Sequence, residues 1–308
     1  MITRKDGLAM FGRRPDGRRL KNIDPIEGLA AYLMPMRCDA QVLTTQDVDY
    51  AKIAEYIQAQ RDKGRSISFM TVIIAAYIRT LSQFPEINRF VVNKQLYARN
   101  EVAVSFMVLK QNGDQEAEAS TTKVKFDPSD TIFDVSARVE KAIEESRNPP
   151  EGGNSAEKIA RALYNMPFLC NIIVGLLKLL ERYGLLPRAI IEASPFHTSL
   201  FITNMASLGV NYVHHHIYNF GTTSVFLAMG KILRTPTLNA KGEVTMKRVI
   251  PLGIVGDERV CNGVTYARVY TYWKKFAENP ALLETPPEKV KTEVIGTPEW
   301  VANPKSKV

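Results

Sequence analysis

The chain has few of the residues that mark a protein for export or for holding a metal. Its three cysteines, Cys38, Cys170 and Cys261, are far apart, odd in number and without a CxxC pair. That argues against a disulfide framework or a cysteine zinc site and points to a reducing, cytoplasmic setting. The opening stretch, MITRKDGLAMFGRR, lacks the uninterrupted apolar core of a signal peptide. The most apolar run, Met166 to Leu180, is too short for a membrane span and is broken by Lys178, so a buried or interfacial helix is expected there. Repeats and low-complexity tracts are also missing. Histidine is scarce: the chain has four, at 197, 214, 215 and 216.

What is present suits an ordinary globular protein. With 45% hydrophobic and 23% charged residues in 308, the chain can bury one large core. The net charge of +8 is uneven, because seven basic residues face two acidic ones within the first 21. Only Phe11 lies among them, not the repeated aromatic interleaving of a nucleic-acid module, so no nucleic-acid partner is expected. The stretch reads as an arm across a neighbouring subunit, a solvated tail, or a site for an anionic cofactor such as coenzyme A.

Periodicity and breakers predict an α+β chain. A short helix opening at Pro25 and long helices over about 49–63, 68–84 and 129–147 alternate with strands at 39–48, 89–92, 95–98, 101–110 and 121–126. Asn93-Lys94 supplies a hairpin turn. NPPEGGNS, residues 148–155, is a joint, followed by a helical insert. Strands SLFITN, TSVFLAMGKIL and VTMKRVIPLGIVG and a helix over about 263–278 complete the order. The organisation expected is a basic arm over 1–24, one domain over 25–284 with its insert at about 155–192, and a tail over 285–308.

Three stretches together carry a resemblance. SFMTVIIAAYIRTLSQFPEINRFVVN (68–93) holds a buried helix running into Pro85-Glu86-Ile87-Asn88. LFITNMASLGV (200–210) precedes TSVFLAMGKI (223–232). DERVCNGVTYARVYTYWKKFAENPALLE (257–284) follows the pattern DHRxxDG…LEnPxxLL. In this order they resemble the catalytic domain of the dihydrolipoyl acyltransferases of 2-oxoacid dehydrogenase complexes, which share a fold with chloramphenicol acetyltransferase. The resemblance implies a two-layer α+β sandwich, a mixed sheet with flanking helices, assembled as a homotrimer or a multiple of trimers with active sites between subunits. It implies acyl transfer from a thioester of coenzyme A type, with no tightly bound cofactor. In that chemistry the motif histidine, near pKa 6.5, takes the proton of a thiol near 8.5, and a serine or threonine donates to the oxyanion.

The departures fall on the chemistry. Glu258 occupies the histidine position and Asn262 the second aspartate position, whereas Asp257, Arg259 and Gly263 match. Thr203 and Asn204 stand where the family has serine and asparagine, so Thr203 is the expected oxyanion donor. A solvated glutamate near pKa 4.3 is a poor base for a thiol unless burial raises it. No lipoyl domain or subunit-binding segment is read in the chain, so membership of a standard dehydrogenase core is not expected.

The histidines offer a substitute base. In an extended NYVHHHIYNFG, His214 and His216 share one face and His215 takes the other. One of His214 or His216 could supply the missing base, or the cluster could be structural beside Tyr212 and Tyr218. No carboxylate or cysteine is spaced to complete a ligand set, so no metal site is expected. Tyr266, Tyr270 and Trp273 read as a packing stripe, and Cys261 as a buried thiol rather than a nucleophile. The apolar insert, Met166 to Leu186, either caps its own core or makes contacts between copies. The candidate catalytic set is therefore Glu258, Asn262, Thr203, His214 and His216, with no residue assigned to binding coenzyme A. The alternative is a catalytically inactive scaffold or binding protein that keeps the fold and the trimer.

Overall fold

In the computed structural model, residues 14–21, 23–110, 118–147 and 164–293 are described. Local chemistry sets the helix starts. Asp24 caps α1 (Pro25–Leu33) by accepting from the Ile26 N–H at 2.8 Å. Asp49 caps α2 (Tyr50–Asp62) at 2.9 Å, and Ser68 caps α3 (Phe69–Leu81) at 3.0 Å. From Thr71 to Leu81 every residue of α3 is buried, as its all-round apolarity requires. Two further helices precede the last third, α4 (Ile132–Arg147) and α5 (Pro167–Arg182), with a short α6 (Arg188–Ala193).

Among the described residues there are also ten strands. A small sheet pairs β1 (Gly17–Arg19), β4 (Gln95–Arg99) and β3 (Arg89–Val92) in the order 1-4-3. Asn93 and Lys94 turn the β3–β4 hairpin with φ of 49° and 61°, the pair of left-handed residues of a type I′ turn. The central mixed sheet contains β2 (Gln41–Asp49), β5 (Val102–Lys110), β6 (Glu118–Phe126), β7 (Leu200–Asn204), β8 (Val225–Met229) and β10 (Val244–Asp257). Its order is 2-10-8-7-5-6, with β9 (Leu233–Leu238) pairing β10 beyond β8. Only β5–β7 and β7–β8 are parallel.

One sheet face is packed and the other is covered by a loop. Leu252, Ile254, Leu227, Ile202 and Phe106 meet α3, α4 and the C-terminal helix α7 (Gly263–Ala277) in a single core. Tyr266 and Trp273 belong to that core, as their helical spacing predicts. On the opposite face Phe201, Phe226 and Val255 pack against Ile217 of the loop after β7. This is the α+β sandwich, a mixed sheet with flanking helices, that the sequence implied.

Three differences from the sequence reading have physical reasons. The strand in TSVFLAMGKIL ends at Met229 rather than running to Leu233, where β9 begins; at the break the backbone of Tyr212 passes over Gly230, where a Cβ would lie 2.4 Å from the Tyr212 nitrogen. The basic stretch is partly structural: residues 1–13 lie outside the described residues, but Arg14 is buried and its guanidinium grips Asp16 at 2.9 and 3.0 Å. The start of the tail is tied down as well, since Arg89 bonds Glu293 at 2.6 and 3.0 Å and the Lys291 N–H donates to Ser82 at 2.8 Å.

Candidate active site

Strand register places the oxyanion candidate. Thr203, Ala228, Gly253 and Thr45 lie side by side across β7, β8, β10 and β2, so their side-chain positions share the loop-covered face. Thr203 is half-buried, and among the described residues its hydroxyl meets only the sulfur of Met205, at 3.9 Å. The next residue, Asn204, holds a buried Oδ1 with no partner among the described residues.

Glu258 lies at the other end of the sheet. It follows the last residue of β10, five positions beyond Gly253, and its N–H donates to Ala40 at 2.9 Å. Two strand spacings across and five residues along put Thr203 and Glu258 of one chain roughly 20 Å apart. Glu258 is exposed and its carboxylate has no hydrogen-bond partner among the described residues. Asn262, also exposed, caps α7: its Oδ1 accepts from the Thr265 N–H at 2.9 Å while its amide donates to Glu27 at 2.8 Å.

Between these residues the motif is rigid. The Asp257 carboxylate is fully buried and receives both arms of Arg259, at 2.8 and 2.7 Å. Arg37 comes within 3.5 Å of the same carboxylate and donates to the carbonyls of Tyr218, Gly221 and Val91. Sequence reasoning found Asp257 and Arg259 but missed Arg37, a lone arginine far away in the chain. Burial pushes the Cys261 thiol up to about 12, so it stays protonated and is no nucleophile.

A cleft of about 450 Å³ opens beside this ion pair, lined by Arg37, Lys178, Glu181, Arg182 and Arg259. Arg37 and Arg259 are engaged with carbonyls and Asp257, whereas Lys178 and Arg182, the latter with its Nε on Asn93 at 3.2 Å, meet no carboxylate among the described residues. Among the described residues no group of three or more His, Cys, Asp or Glu side chains could hold a metal.

The histidines lie on the loop-covered face without forming a strand. Segment 211–216 crosses the sheet over Gly253, where a Cβ would sit 2.4 Å from the Val213 carbonyl. Exposure alternates, with His214 and His216 exposed and His215 half-buried, but the expected opposite faces are not kept: the His215 and His216 rings stack at 4.9 Å and both lie against Tyr218. His214 Nε2 is 2.9 Å from the Thr44 carbonyl, which can only accept, so Nε2 carries a proton and donates, and Nδ1 has no hydrogen-bond partner among the described residues. His215 stacks on Phe226 at 4.2 Å and 7°. Because His214 stands over β2, three strands from Thr203, roughly 14 Å separates them within one chain. The fourth histidine, His197, is buried elsewhere, 3.0 Å from Glu181 and 2.8 Å from Ser194.

The model of the 2-oxoacid dehydrogenases acyltransferase catalytic domain matches residues 196–285, a window that contains every candidate named above. The chain has the acyltransferase-core fold. Its central sheet and helices superpose on the cubic core of a pyruvate dehydrogenase multienzyme complex with a TM-score of 0.55 at 13% identity, covering 92% of this chain and 99% of that one. A dihydrolipoamide acetyltransferase of Azotobacter vinelandii gives 0.55 at 14% identity, covering 84% and 88%. In sequence, 82 residues are 30% identical to the mitochondrial lipoamide acyltransferase component of the branched-chain alpha-keto acid dehydrogenase complex of Bos taurus, 27% of this chain and 17% of that protein. The chain thus resembles the acyltransferase catalytic domain, and its sequence match spans less than a fifth of that relative. Among the described residues, no helix is long and apolar enough to cross a membrane.

Proposed function

We propose that this protein transfers an acyl group from a thioester of coenzyme A type, in active sites assembled between copies of the chain in a homotrimer or a multiple of trimers. The observation that carries the reading is the separation of Thr203 from Glu258 within one chain, although both fall in the matched window. Two groups that act on one carbonyl cannot work roughly 20 Å apart; a site with Thr203 from one copy and the 258–262 turn from another can hold them together.

The chemistry would run as follows. A base takes the proton of the acceptor thiol, the thiolate adds to the thioester carbonyl, and the Thr203 hydroxyl donates to the oxyanion. The carbon–sulfur bond to the donor then breaks, and the departing thiolate takes back the proton. Glu258 of the neighbouring copy is one candidate base, and burial at that interface would have to tune it. His214 through Nδ1, or His216, is the other. In the Azotobacter vinelandii enzyme a serine, a histidine and an asparagine four residues further on have a role in the catalytic mechanism. Asn262 follows Glu258 by the same four positions, which supports its place in the site. The free cysteines fit a cytoplasmic setting.

One observation favours a second reading. The exposed, unpartnered Glu258 at the histidine position also suits an inactive scaffold that keeps the fold. The two separate in a thiol-release assay with acetyl, succinyl and longer acyl thioesters of coenzyme A, run beside a coenzyme A thermal-shift titration. Turnover supports the transferase. Neither turnover nor a shift, in a protein that scatters light as a trimer, supports the scaffold.

A further inference from the structure

Helix α5 was expected to be buried or interfacial, and it does not cap its own core: of its sixteen residues only Glu181 is buried. Cys170, Ile173, Leu177 and Leu180 lean half-buried toward the body. On the open side Leu169, Ile172, Leu176, Leu179 and Tyr183 are 39, 52, 51, 51 and 44% exposed, with Phe168 beside them at 79%. Nothing among the described residues covers them.

The spacing of this stripe is informative. Residues 169, 172, 176, 179 and 183 alternate steps of three and four, the a/d seam by which one helix packs against another. A flat lipid surface does not demand that register. With Met166 and Leu185 at its ends the face amounts to on the order of 800 Å², about one partner's share of a standard protein interface and more than the largest apolar patch on an ordinary monomer. No charged side chain lies within the seam. Gly175, next to its centre, has open space where a Cβ would be, so a second backbone can come close.

We propose that α5 is a two-fold contact between copies of this chain, in which the seam of one helix packs antiparallel on the same seam of another about Leu176. The antiparallel sense follows from charge. Centred on 176, each Arg182 lies opposite position 170 of its mate, roughly 18 Å along the axis from the other Arg182. That exceeds the screening length of about 8 Å, whereas a parallel pair sets the two arginines side by side. An isologous contact of this kind closes on itself and leaves the acyltransfer reading untouched, since it uses neither Thr203 nor Glu258.

The test is the mass of the full chain in solution by light scattering, wild type against the double variant Leu176→Glu, Leu179→Glu. The expected result is a mass that falls by half or more, as trimers lose the contact that joins them, with a melting temperature within a few degrees of wild type. In a Cys38→Ser, Cys170→Ser background, Leu176→Cys should form a disulfide-linked pair under mild oxidation, whereas Tyr183→Cys, roughly 20 Å from its mate in the antiparallel pair, should not. An unchanged mass overturns the proposal. So does a fall in melting temperature at unchanged mass, which would mean that the chain's own residues 148–163 cover the seam. So does binding of wild type, but not the variant, to phosphatidylcholine–phosphatidylglycerol vesicles at equal solution mass, and so does cross-linking through 183 but not 176.

Discussion

Glu181 and His197 meet at 3.0 Å in the protein interior, and their contact ties the apolar helix α5 to the start of the central sheet. Burial holds the His197 imidazole below its ordinary value even though the Glu181 carboxylate pulls it up. Burial also works to raise Glu181, but the His197 hydrogen bond, the Gly221 N–H and Arg14 outweigh it and leave the carboxyl low. The pair is therefore a neutral imidazole donating Nε2–H to a carboxylate, with Ser194 donating to Nδ1.

Acid should loosen this tie. For both groups the unfolded chain binds protons more readily than the folded one, so stability rises with pH and is lost on acidification. His197 contributes that loss as pH falls through about 6.5, and Glu181 only below about 4.5. Thermal melts from pH 8 to 5 should show a falling midpoint in wild type and a flatter curve in His197→Asn. Equal slopes in the two proteins would exclude His197 as the source.

Asn262 has a structural duty apart from any chemistry. Asn262→Ala removes the α7 cap and should cost about 1 kcal/mol, or roughly 2 °C in a chain of this size, whereas Asn262→Ser should restore the cap without setting a second carboxylate against Glu27. If activity in the alanine variant falls by much more than that loss explains, Asn262 also serves the reaction.

Glu258 is exposed, with no side-chain bond among the described residues, so Glu258→Gln should leave the melting temperature unchanged. If it is the base, acyl transfer should drop by about two to four orders of magnitude. Retained turnover moves the role to the histidines. There His214→Ala or His216→Ala should abolish transfer, whereas His215→Ala should mainly cost about 1 kcal/mol of stacking on Phe226. Full activity in all three variants makes the cluster structural.

Gly253 tests whether the histidine segment must lie flat. In Gly253→Ala the methyl group meets backbone at Val213, which cannot swing aside like a flexible side chain. The variant should lose about 1–3 kcal/mol in denaturant melts. It should also shift the His214 ring signals in NMR, because the Thr44 contact would be lifted.

Most of the fold was legible because its signals are local. Ser68 caps the helix it precedes, Asn93-Lys94 makes the hairpin, and the apolarity of Thr71 to Leu81 means burial in the core. The candidate site can be read from the sequence as a set of residues to test, but not as an arrangement. Nothing local says that Thr203 aligns with Gly253 rather than with Asp257, since that register is fixed by pairing across three strands. Arg37 escaped notice for the same reason, 220 positions from the Asp257 it approaches. In α5, apolarity announced that something must cover the helix, but the residue pattern alone does not say whether that cover is its own core.

The pairing of β2 with β10 also has a consequence in time. Gln41 to Asp49 find their partners at 249–257, about 200 residues later. At ordinary synthesis rates of about 5 to 20 residues per second, β2 waits roughly 10 to 40 s on the ribosome before its mate exists. Through that interval the nascent chain carries Val42, Thr44 and Val48 with an open backbone edge, so the choice between folding and aggregating rests on whatever shields β2 until the last third emerges.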